Sequence, residues 1–159
     1  MKTRWMCAWM GVALAVASMA GMALAASEPA SGTWEMVPAK SKYSPGPTPK
    51  SVTVKVDANE KGLKVESVTK TADGKEVKVT FEAKFDGKDY PVKGQSGADM
   101  VTVKRVDAHN YELTMKKGTT PVMTITTVIA ADGKSRTVTF KGTNEKGEAV
   151  DNVVYYEKK

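Results

Sequence analysis

The chain has 159 residues, a formal charge of +6 at neutral pH, one cysteine and one histidine. That length suits one domain with a real core, and so few thiol and imidazole groups exclude a disulfide framework and the usual zinc sites. Lysines alternate with acidic residues instead of gathering in one block, which argues against a nucleic-acid partner.

At the start, Lys2 and Arg4 precede an apolar run through Val12, Leu14, Val16 and Met19 that ends at Ala23-Leu24-Ala25. A charged region, an apolar region and an A-x-A end make the pattern of a secretory signal peptide over 1–25. An uncleaved membrane helix is the rival reading and would need about 20 apolar residues. The small residues at its end and the Ser/Pro/Gly-rich stretch beyond favour cleavage before Ala26. Cys7 would leave with the leader, so the mature chain would hold no thiol, no cofactor ligand of that kind and no stable membrane anchor. A secreted or periplasmic location is expected. Cleavage leaves 134 residues, with 22 basic against 18 acidic side chains.

Residues 26–31 read as a flexible lead-in, and 32–159 as a single domain. The first strand opens at Gly32-Thr33-Trp34, and the loop after it carries Pro38, Pro45, Pro47 and Pro49. From Ser51 onward apolar residues recur with period two, and turn residues interrupt them every 8 to 12 positions, as in antiparallel β domains. Strands follow at Ser51–Asp57, Leu63–Lys70 and Glu76–Phe85. In the last of these Val77, Val79, Phe81, Ala83 and Phe85 share one face while Lys78, Thr80, Glu82 and Lys84 share the other, so one face is buried and one is wet. Tyr90–Lys93 contains Pro91, which cannot donate to a ladder and marks an edge or bulge. Met100–Val106, Tyr111–Lys117, Val122–Ala130, Arg136–Thr143 and Ala149–Glu157 complete the set.

The turns reuse two tetrapeptides, Ala-Asp-Gly-Lys at 72 and 131 and Asn-Glu-Lys-Gly at 59 and 144. Their spacings do not match, so they are not a tandem repeat; their glycines are expected to supply the positive φ of tight hairpins. Counting the Trp34 strand gives about ten short strands, nearly all joined by hairpins. Such a chain is expected to form an all-β, antiparallel up-and-down barrel of about 8–10 strands, because closure removes exposed edges. A two-sheet sandwich would need Greek-key connections, for which only 38–50 is long enough.

Gly32-Thr33-Trp34, the long loop, the hairpin meander and the terminal Val153-Val-Tyr-Tyr-Glu-Lys158 together resemble the calycin superfamily of lipocalins and fatty-acid-binding proteins. Within it they resemble small secreted bacterial lipocalin-like proteins. The resemblance implies a meander barrel with a ligand cavity in its mouth and the first-strand tryptophan packed at the closed end. It also marks two departures. Prolines at 45, 47 and 49 preclude the helix-turn-helix lid of a fatty-acid carrier, and the chain lacks the helix and disulfide that follow a lipocalin barrel.

Only two of the mature basic residues are arginine, Arg105 and Arg136, and both share the apolar parity of their strands. A guanidinium inside a barrel is costly unless paired, and its fork suits a carboxylate. Each is therefore a candidate anchor for an anionic or fatty-acid-like ligand, along with the inward aromatics Tyr111, Phe81, Phe140 and Tyr155. The alternative is that both sit at strand ends and pair with a neighbouring acid while their stems pack.

Catalysis finds no support. His109 lies in the turn Asp107-Ala-His-Asn110, and no carboxylate pair or calcium loop stands out. Gly94-Gln-Ser-Gly97 lacks the following helix of a phosphate cradle. Two functions remain open from sequence. One is non-enzymatic binding of a small apolar or amphipathic ligand by a monomeric barrel with no cofactor. The other is a filled barrel serving as an envelope-associated interaction module or enzyme inhibitor.

Overall fold

The structure, a computed structural model, describes residues 28–95 and 97–159; the expected leader over 1–25 lies outside the described residues. Ten strands form the fold: β1 (Gly32–Met36), β2 (Ser51–Ala58), β3 (Gly62–Lys70), β4 (Glu76–Lys84), β5 (Tyr90–Lys93), β6 (Met100–Arg105), β7 (Asn110–Lys117), β8 (Thr120–Ile129), β9 (Ser135–Thr143) and β10 (Ala149–Lys158). Each pairs antiparallel with its neighbour in sequence, and β1 pairs with both β2 and β10, so the meander closes into a barrel. The all-β, up-and-down expectation holds.

The short β1 is the closing strand. Trp34 lies opposite Lys158 on one side and Val54 on the other, and Gly32 bends the entry with a φ of +130°, a region closed to most side chains. The chain then loops outward through a single 3-10 turn (Pro38–Lys40) and returns to continue the same seam. Lys42 exchanges both backbone hydrogen bonds with Val153, the Asp151 N–H donates to the Ser44 carbonyl, and the Ser44 N–H donates to Asn152 Oδ1. The proline loop is thus an extension of β1 along β10.

Opposite this well-tied seam lies a thin one. In the ladder β5 pairs with β4 only at Thr80↔Lys93 and Phe81↔Val92, and with β6 only at Tyr90↔Val101 and Pro91↔Met100. Pro91 stands where β5 has no ladder partner in β4, which accommodates its missing N–H. Gly94 then allows β4 to approach, since a Cβ there would lie 1.8 Å from the Lys78 carbonyl oxygen.

One turn expectation needs correction. Gly74, Gly133 and Gly147 do adopt positive φ, but Gly62 does not. It begins β3, where a Cβ would meet the Ala83 carbonyl oxygen at 2.4 Å. The two Asn-Glu-Lys-Gly turns therefore use glycine differently: the one at 144 for φ, the one at 59 for close strand approach.

The hairpin turns 59–61, 85–89, 106–109 and 130–134 gather at one end of the barrel with residues 28–31 and the C-terminal end of β10. The proline loop, the turns 71–75, 118–119 and 144–148, and residues 94–95 and 97–99 gather at the other. At the first end Trp34 is fully buried, and its indole N–H donates to the Ala30 carbonyl at 2.9 Å. Residues 28–31, expected to be a flexible lead-in, run across this end: Lys158 Nζ donates to the Pro29 carbonyl, Ala30 is buried, and Ser31 exchanges hydrogen bonds with Ala58. That end is the floor.

Candidate functional site

Inside the barrel, above Trp34, is a cavity of about 440 Å³, within the range of small-molecule sites. Alternation along each strand makes its wall. Val52, Val54 and Val56 of β2 face Val65 of β3, Phe81 of β4 and Leu113 of β7, while Ser67, Thr69, Gln95 and Asn152 supply polar groups toward the proline-loop end. Tyr43 reaches in from the loop, and its hydroxyl donates to Met36 Sδ at 3.3 Å.

Arg136 is the charge on this wall. It lies in register with Tyr156 of β10 and Ile129 of β8, on the inner face with Val138 and Phe140, and only 8 % of its surface is exposed. Its guanidinium carbon is 4.6 Å from the Trp34 ring centroid and 4.9 Å from that of Tyr156. Two desolvated cation–π contacts hold it, but no carboxylate does so among the described residues, and its Nε–H has no acceptor. Burial lowers its pKa to about 10, far enough above neutral that the group stays charged. Burial likewise raises the Tyr156 hydroxyl to about 12. A charged, unpaired guanidinium in an apolar chamber is an incomplete arrangement that an anion completes.

Tyr111 stands beside this chamber as well. It is 3 % exposed and lines the cavity; burial raises its pKa, opposed by the neighbouring Arg105 guanidinium. Its register partner in β8 is Thr127, also on the cavity wall. Phe81 and Phe140 line the cavity as the alternation requires.

Two sequence-predicted residues lie elsewhere. Arg105 shares the inner parity of β6, yet it is not on the cavity wall: one of its terminal nitrogens donates to both carboxylate oxygens of Glu28, at 3.0 and 2.8 Å. Tyr155 is on the outer face, under the 3-10 turn, with Lys40 Nζ 4.5 Å from its ring centroid; Tyr156 takes the inner position. The doubled Val153-Val154 and Tyr155-Tyr156 leave the parity of β10 unmarked in sequence, and only the pairing of Tyr156 with Arg136 fixes it. Glu28 and Tyr43 carry no periodic signal and could not have been found by pattern. His109 stays in its turn, where its backbone N–H donates to Asp107 Oδ1. No group of three or more potential metal ligands gathers among the described residues.

No protein-family model and no curated protein matches the chain. Among solved structures it is similar to that of zebrafish ileal bile acid-binding protein complexed with cholic acid. That likeness has a TM-score of 0.52 at 14 % identity and covers 82 % of this chain and 99 % of the other. At that identity it establishes a calycin-like fold.

Proposed function

We propose that the protein binds a small amphipathic ligand non-covalently and without catalysis, with the ligand's anionic end on Arg136 and its apolar body in the barrel. The observation that carries this reading is an apolar chamber of about 440 Å³ whose wall holds a buried guanidinium with no counter-ion among the described residues. An internal acid would have served stability alone; its absence leaves a position for a ligand's carboxylate, which a guanidinium fork accepts through two hydrogen bonds. The solved neighbour was crystallised with cholic acid, itself a carboxylate on an apolar body, which supports the same class. The hollow interior favours this over a filled interaction module. The leader sequence supports a site of action outside the cytoplasm, and a single closed barrel supports a monomer.

The test is displacement of a fluorescent fatty acid, together with native mass spectrometry of gently purified protein. The wild type is expected to take up the reporter and to carry a co-purifying anionic lipid. Arg136→Met is expected to bind the reporter at least tenfold more weakly, given the roughly 1.5–3 kcal/mol of a charged hydrogen bond. Unchanged affinity in Arg136→Met would sink the anionic anchor, and absence of any uptake by the wild type would sink the carrier reading.

A further inference from the structure

Two guanidiniums serve the floor of the barrel, and only one lacks a counter-charge among the described residues. Arg105 is capped by Glu28, with the two side chains 24 % and 14 % exposed. Glu28 is held in place by the three residues after it: Pro29 through Lys158, Ala30 through the Trp34 indole, Ser31 through the backbone of Ala58. Tyr111 connects this pair to the cavity, since it is the register partner of Arg105 and itself lines the wall. Lys158 is a third cation of the floor, with its ammonium 4.7 Å from the same Trp34 ring centroid, but it is partly exposed, bound to the Pro29 carbonyl and screened by water, and its charge is common to every variant compared below.

We infer that Glu28 is a specificity-determining residue: by neutralising Arg105 it leaves the floor with one unpaired buried cation, Arg136, and so matches the cavity to head groups that carry a single negative charge. The inference rests on the reading that the ligand's anion sits on Arg136. A carboxylate or sulfonate brings one charge and is balanced there. A phosphate monoester brings about −1.5 to −2, and the excess would be buried without a partner. Without Glu28, Arg105 becomes a second unpaired cation three strands away from Arg136, roughly 14 Å along the wall at about 4.8 Å per strand. At an effective dielectric of about 20, a charge at that range changes the affinity of the second negative charge about three- to sevenfold.

The experiment displaces a fluorescent fatty acid with three amphipaths of equal chain length: a carboxylate, a phosphate monoester and an alcohol. The proteins are wild type, Glu28→Gln, Arg105→Met and the double variant. Wild type is expected to prefer carboxylate to phosphate. Glu28→Gln is expected to shift that ratio toward phosphate about three- to sevenfold, and the double variant to restore it. Arg105→Met, which leaves Glu28 unpaired, is expected to weaken both anions, phosphate more, and to spare the alcohol; it carries the test alone if Glu28→Gln is unstable. If Glu28→Gln weakens all three ligands alike, or the double variant fails to restore the ratio, Glu28 only braces the floor and the inference is overturned while the carrier reading stands. If no amphipath displaces the reporter from wild type, both fall together.

Discussion

Arg136 pits stability against function on a single side chain. Its lowered pKa corresponds to a burial cost on the order of 3 kcal/mol, offset by about 2 kcal/mol from its aromatic contacts with Trp34 and Tyr156. Arg136→Met is therefore expected to leave the ligand-free protein as stable as wild type or about 1 kcal/mol more so, checked by urea unfolding; a loss of several kcal/mol would mark the arginine as structural. Its titration gives a second prediction. A base whose folded pKa lies below its unfolded value lets the unfolded chain bind more protons, so Arg136 raises stability as pH climbs from about 10 toward 12.5. Tyr156, held at about 12 against 10.0, contributes stability that is full below pH 10 and lost as pH rises through about 12. The two oppose each other over that window, so Arg136→Met should lose stability with rising alkalinity more steeply than wild type. Parallel unfolding curves for the two proteins between about pH 10 and 12 would contradict this. At this scale the sequence was partly legible. Arg136 could be placed inside from parity alone, but Tyr156 could not, because its outward neighbour is also a tyrosine. Nor could the Arg105 partner be found, because Glu28 is 77 residues away in a stretch without period.

Among the elements, the proline loop and the thin β4–β5 seam differ in how firmly they are tied. Ser41 pins the loop: its hydroxyl donates to the Val37 carbonyl at 2.9 Å and accepts the Tyr155 N–H at 3.0 Å. Ser41→Ala should cost about 1 kcal/mol and speed amide exchange at Lys42 and Val153, while β3 and β7 amides keep their protection; uniform exchange changes would contradict a local role. At the seam, Gly94→Ala would drive a methyl into the Lys78 carbonyl at a φ of +85°, whereas Gly46→Ala at +106° meets nothing within 4 Å. The first should cost at least about 3 kcal/mol and the second about 1–2, as thermal unfolding would report; equal costs would mean that the seam gives way freely. Strand positions were readable because the alternation of β4 and β2 is strict, and the ten-strand count followed from the turns. The continuation of β1 through Lys42 and Ser44 was not readable, because prolines suppress the strand pattern and the bonds run through backbone and Asn152.

For the whole molecule, closure at β1 leaves no open sheet edge and encloses a hollow interior. A hollow barrel forgoes packing that a solid core would have, and a ligand that binds only the folded state recovers stability by mass action. At a ligand concentration of about 100 times its Kd the gain is about 2.7 kcal/mol, a rise in melting temperature of roughly 5–10 °C for a domain of this size. No shift with a long-chain carboxylate would oppose a carrier role. The barrel was legible in the sequence because hairpins and closure follow from local pattern. The cavity was not, since the same valines would fill a narrower barrel, and only the paired register of all ten strands determines its width. Anion binding on Arg136 is read out at its own Nε–H, which has no acceptor among the described residues, by the proton–nitrogen resonance of that group. On titration with a long-chain carboxylate it should shift and saturate with the binding curve, while the matching alcohol leaves it in place. A carboxylate that binds in the barrel without moving that resonance would mean that Arg136 is not its anchor.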